Sequence, residues 1–289
     1  MRLHKGTPRS VVFFLAGSLP GSALLHMKQM TLFGMIARNK GSVLFEHALN
    51  VFSFKTITKN SWFHQIRDAC LLYSLPHPLD FLTFPLEKEP FKKLIKSKIV
   101  SYWENLLRSE TVSLKSLNFF HPSFMSLTNV HPLWYTAGHS PMQVTKALVQ
   151  ATMLSGRYRC GSLTRYWINS YDGHCLLRDC GSVLEDISHI LTACPALKGT
   201  RDKLVQFTLN YSLSLPRPLC LLLRSLCHPT SQDFCQFLLD PSIIPAVIRL
   251  SQLLGRNIFN HLFYISRTWV YALHRERLKQ LGMWKRYSG

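Results

Sequence analysis

Acidic residues are scarce in this chain of 289 residues: 15 Asp and Glu stand against 34 Lys and Arg, a formal net charge of +19. An imbalance of that size favours a polyanionic partner, nucleic acid first and an anionic membrane second. Long hydrophobic runs are also missing. No stretch approaches the ~18–20 continuous apolar residues that a membrane-spanning helix needs. Eight cysteines are too few and too unevenly spaced for a disulfide scaffold at this length. There is no internal repeat and little that reads as strand. Apolar residues nevertheless make up 47% of the chain, which is incompatible with wholesale disorder.

The N-terminus imitates a signal peptide, with Arg2, Lys5 and Arg9 ahead of VVFFLA. The apolar run is short and Pro20-Gly21 breaks it, so a cytoplasmic or nuclear protein is expected and secretion is not.

The densest chemistry lies in CLLRDCGSVLEDISHILTAC, residues 175–194. Four, eight and four residues separate Cys175, Cys180, His189 and Cys194. Three thiols and an imidazole so placed are what a closed tetrahedral zinc site requires, with two ligands from a knuckle and two from a helix end. Gly181 follows the second cysteine, where a knuckle turns sharply. Val183, Leu184, Ile187, Ile190 and Leu191 read as one helical apolar stripe, and Pro195 takes Cys194 out of the helix. Glu185, one turn before His189 on that helix, is placed to hold the other imidazole nitrogen. With four protein ligands the site is structural and has no open position for an activated water. The competing reading is four ordinary side chains, buried cysteines and a surface histidine. Cys220, Cys227, His228 and Cys235 match no zinc spacing and read as core.

Upstream of this stretch run Arg157-Tyr158-Arg159 and Arg165-Tyr166-Trp167. Bases alternating with aromatics neutralise phosphates and offer faces for unpaired bases, so Arg157, Tyr158, Arg159, Arg165 and Trp167 are candidate contacts to RNA or single-stranded DNA. Helix packing with arginines reaching to solvent is the alternative. A run of lysines (Lys88, Lys92, Lys93, Lys96 and Lys98) surrounds the start of another helix, as a solvated face or a phosphate contact.

Elsewhere the pattern predicts helices from Ser22 to about Arg38, from a Ser61 cap to Tyr73, and from Pro90 through Leu106. Ser140-Pro141 opens another that stops at Gly156, residues 200–210 form one more, and the longest starts at Pro245, kinked at Gly255. Residues 41–60 give weak signals, 75–80 read as extended, and 111–139 read as a connector. The expected fold is mostly α, an irregular multi-helix array with an embedded CCHC zinc knuckle and little or no sheet. Its expected parts are 1–60, 61–150, 151–200 carrying the basic-aromatic segment and the knuckle, and 201–289.

Several stretches carry a resemblance: FFLAGSLPGSALLHMKQMTLFGMIAR, SWFHQIRDACLLYSLPHPLDFL, HPLWYTAGHSPMQVTKALVQATMLSGRYRC, the Cys/His stretch and RTWVYALHRERLKQLGMW. Together, from about Val11 to Trp284, they resemble the C-terminal region of invertebrate LINE-type (non-LTR) retrotransposon polyproteins, downstream of the reverse transcriptase palm. The resemblance implies thumb-side helices followed by a CCHC motif with Cys175, Cys180, His189 and Cys194 as its ligands, although the first gap is longer than in many wider relatives.

It also sets limits. A polymerase palm holds two metal ions on paired aspartates, and no two aspartates are adjacent here. The family's apurinic-type endonuclease lies far upstream. The restriction-like nuclease of another branch needs a Pro-Asp that the residues after Cys194 lack. The expectation is therefore a truncated, non-catalytic, zinc-stabilised nucleic-acid-binding fragment with no small-molecule substrate. A zinc-stapled helical module that docks a protein partner, or a decayed insertion product, are the alternatives.

Overall fold

The computed structural model describes residues 6–53, 61–114, 116–164, 172–178, 180–181, 183–227 and 233–283. It is mostly helical, and among the described residues the only β pairing is an isolated antiparallel bridge between His174 and Leu184. The chain forms two compact units. One, the central unit, comprises Gly17–Glu110 with Ser126–Asn129; the other, the C-terminal unit, comprises Met1–Ala16, Thr111–Met125 and Val130–Gly289. This grouping joins pieces that the sequence divisions keep apart. Helix α1 (Arg9–Ala16) belongs with the C-terminal half of the chain, whereas 61–110 packs with 17–53.

The central unit is built from α2 (Gly21–Arg38), α3 (Val43–Ser53), α4 (Trp62–Leu72), α5 (Pro78–Thr83) and most of α6 (Lys88–Val112). Met30, Phe33, Ala37, Phe45, Phe52, Ile66, Phe81, Phe91, Ile95 and Ile99 make its core. Phe33 sits at its centre, edge-on to Phe52 at 5.8 Å and to Phe81 at 6.5 Å. Gly34 is required by packing, since a Cβ there would stand 2.4 Å from the Phe91 ring. Ser61 caps α4 as predicted, its hydroxyl accepting from the His64 N–H at 3.1 Å.

Two segments depart from expectation. The weak region after residue 41 holds α3, started by Ser42, whose Oγ accepts from the Phe45 N–H at 3.2 Å. Phe45, Ala48 and Phe52 supply its buried face, a stripe of only three residues. The proline-rich segment expected to be extended instead turns helical at Pro78. Proline is favourable at a first helical position, and His77 and Asp80 cap the turn reciprocally.

In the C-terminal unit α7 (Pro132–Tyr135), α8 (Pro141–Leu154), α9 (Gly161–Thr164), α10 (Lys198–Ser212), α11 (Arg217–Leu226), α12 (Phe234–Leu239) and α13 (Pro245–Leu254) lead to α14 (Ile258–Gln280). Gly255, at φ 81°, separates α13 from α14 completely rather than kinking one long helix. Helix α14 packs against α8, α10 and α12, burying Leu262, Phe263, Ile265, Trp269, Val270 and Leu273. Its partners also bury polar groups. Trp269 Nε1 donates to Thr208 Oγ1 at 2.8 Å, and Gln150 Nε2 donates to the Leu238 carbonyl at 2.7 Å. Arg267, 1% exposed, donates to Leu133 O, Thr136 O and Thr136 Oγ1, and burial lowers its pKa to about 10. No single helix among the described residues is long and apolar enough to cross a membrane.

Candidate metal centre

The segment that carries the cysteines is held by backbone before it is held by side chains. Cys175 N donates to Val183 O at 2.9 Å and Glu185 N to Gly173 O at 3.0 Å, so residues 173–175 and 183–185 run as two short antiparallel arms. Between them Gly181 sits at φ +69° with open space where a Cβ would be. Glycine is needed there for the left-handed backbone, not for room. Asp186 then caps a new helical turn, its Oδ1 accepting from the His189 N–H at 2.6 Å.

That turn is not an ordinary α-helix. Residues His189–Ala193 form a π turn closed by Cys194 N donating to His189 O at 2.8 Å. Five residues of α-helix would set His189 and Cys194 about 140° apart around the axis. An i→i+5 closure brings them toward one side, and the extended ψ of 117° at Cys194, ahead of Pro195, lets that thiol swing inward.

The result is one buried group of four. Cys175, Cys180, His189 and Cys194 place their ligand atoms within 4.8 Å of one another. Cys180 Sγ lies 3.0 Å from His189 Nε2 and 3.7 Å from Cys194 Sγ, which is 4.0 Å from Cys175 Sγ. These cysteines are free, and their separations are far beyond the ~2.05 Å of a disulfide.

Burial pushes the Cys175 and Cys180 thiols upward and the His189 imidazole downward. Neutral imidazole is the ligating form. A thiolate at such buried positions calls for a cation among the sulfurs. Arg201 braces the last ligand from outside, its Nη2 donating to Cys194 O at 2.6 Å. The donor set therefore fits a metal ion.

Glu185 is placed differently from the expectation that it would hold His189. The helix begins only at Ile187, so Glu185 lies on an extended arm and the one-turn spacing to His189 does not apply. Its Oε1 is 3.7 Å from Cys175 Sγ, and its Oε2 accepts from the Gly161 N–H at 2.7 Å. Both oxygens are gripped by Arg277 on α14, from Nε at 2.9 Å and Nη2 at 2.8 Å. Burial pulls the Arg277 guanidinium down, but the Glu185 carboxylate outweighs it and the net shift is upward. For the same reason Val183 and Leu184 are largely exposed, whereas Ile190 and Leu191 are fully buried.

Tyr158 also departs from its expected role as a stacking face for bases. It is 5% exposed, its hydroxyl bonds His274 Nδ1 at 2.8 Å, and the Arg277 guanidinium lies 5.5 Å above its ring. Burial raises its pKa to about 12. Arg157 is half-buried and Arg159 is exposed; Arg165 and Trp167 lie outside the described residues. Sequence reasoning missed Arg277, Arg201 and Gly161. Arg277 is one of two basic residues in the last turn of α14, and nothing local marks its partner 92 positions away. Gly161 is fixed by a close approach, since a Cβ there would stand 2.2 Å from Gly173 O.

No family model matches the chain, and neither the curated proteins nor the solved structures contain a match to it.

Proposed function

We propose that this protein is a non-catalytic, zinc-stabilised, nucleic-acid-binding C-terminal region of a LINE-type reverse transcriptase polyprotein. The buried Cys175, Cys180, His189 and Cys194 group carries the proposal. Zinc suits it because three thiolates and an imidazole form a soft, four-donor set. A tetrahedron with zinc–sulfur arms of ~2.3 Å has edges of about 3.8 Å, close to the observed sulfur separations of 3.7 and 4.0 Å. The net charge of +19 and the half-buried or exposed Arg157 and Arg159 support a polyanionic ligand. Burial of Tyr158 removes one expected base-stacking ring and favours the rival reading, a zinc-stapled module that docks a protein.

Metal analysis and a salt titration of RNA binding on the full chain decide between these. The proposal expects one zinc per chain, lost in Cys180→Ser, and RNA affinity that falls steeply with salt, roughly one counterion per phosphate contact. Absence of zinc overturns the metal assignment. Zinc without salt-sensitive RNA binding favours the protein-docking module.

A further inference from the structure

Beside the metal ligands, the C-terminal unit contains a cavity of about 400 Å³, within the ~300–1,000 Å³ range of small-ligand sites. Phe119, Leu163, Leu184 and Ile187 give it apolar walls, and Asn118 and Asp186 add polar edges. At Gly156 the wall is set by backbone contact. That residue has φ +62°, and a Cβ on it would stand 2.1 Å from Ser116 O, so the end of α8 and the 116–119 segment meet without an intervening side chain.

The chemistry suits a flat ligand with a donor edge. Asp186 already accepts the His189 N–H through Oδ1, but an ionised carboxylate keeps acceptor capacity on both oxygens. Among the bases, guanine alone presents two adjacent N–H donors, N1–H and the N2 amino group, that a single carboxylate can accept.

We infer that this cavity receives an unpaired guanine of a nucleic acid strand, held at its N1–H and N2–H by Asp186. The inference rests on the nucleic-acid reading above and narrows it to a base and a pocket.

The test uses the full chain with its metal and fluorescent uridine decamers carrying one central G, A, C or U. DNA counterparts identify the strand type. The guanine decamer is expected to bind on the order of tenfold tighter or more than the other three. Asp186→Asn should abolish that discrimination while keeping zinc content and affinity for the all-uridine strand, because asparagine caps a helix as well as aspartate does. Leu184→Trp, at a wall position 39% exposed, should fill the cavity with the same effect. Salt-sensitive binding with no preference among the bases, or a guanine preference that survives both variants, overturns the pocket alone. Failure of every strand to bind overturns the nucleic-acid reading together with it.

Discussion

The two units are stabilised by different physics. Every buried polar or charged side chain among the described residues, including His131, Gln150, Glu185, His189, Asp240, Arg267 and Arg277, belongs to the C-terminal unit. The central unit buries aromatic rings and aliphatic side chains in a single cluster, whose contribution scales with apolar area and is insensitive to charge state. In the C-terminal unit, buried charges are tolerated because each has a partner: Glu185 with Arg277, and Asp240 with His131 at 3.3 Å and with Ser242. Breaking such a pair leaves a desolvated charge, which is why polar interiors are stable only in the right ionic state. The core of the central unit is therefore indifferent to charge state, whereas the interior of the C-terminal unit depends on it and, under the proposal above, on a metal.

Chelation gives the sharpest test of that contrast. Under the zinc proposal, removing the metal should withdraw on the order of 10 kcal/mol of local folding free energy from the segment around Cys175–Cys194. Amide hydrogen exchange should accelerate there and leave α2–α5 protected; uniform acceleration would erase the distinction. The reciprocal change is Phe33→Ala, expected to destabilise the central unit by about 3–5 kcal/mol with zinc content unchanged. Calorimetry with metal analysis on the same sample reads both.

Acid should also separate the units. Burial, aided by the Arg277 charge, lowers the His274 pKa from 6.5 to about 4. The unfolded chain then binds a proton that the folded one refuses, so this contribution is complete above pH 6.5 and is lost as pH falls toward 4. For a partly exposed ring it amounts to about 1–2 kcal/mol. His26 in the central unit shifts in the same direction through burial, so the discriminating measurement is His274→Gln. That variant should flatten the pH 5–7 stability slope of the C-terminal unit only. The smallest effect expected is from Ser61→Ala, about 1 kcal/mol in the central unit from the lost cap on α4, measured by denaturant titration.

Much of the helix map was legible because caps and stop residues act locally. Ser61, Pro141 and the Gly156 stop stand at their predicted places. The misses share a cause. Helix α3 has a buried stripe too short to stand out, and Pro78 starts a helix because His77 and Asp80 cap it. In the ligand segment, apolar spacing over 183–191 suggested one helix, but two residues of antiparallel pairing displaced its start to Ile187. The outcome relocated Glu185 from His189 to Cys175.

By itself the sequence determined the helical class, the excess of positive charge and the identity of the four clustered side chains. All three depend on composition or on spacing within a few turns of chain. Only the tertiary structure decided what surrounds them. Arg277 meets Glu185 across 92 positions, Tyr158 lies beneath that guanidinium instead of facing solvent, and α1 joins the far end of the chain. Contacts between residues so distant in sequence are set by how packed helices bring buried charges together, and no local pattern in either partner records the other.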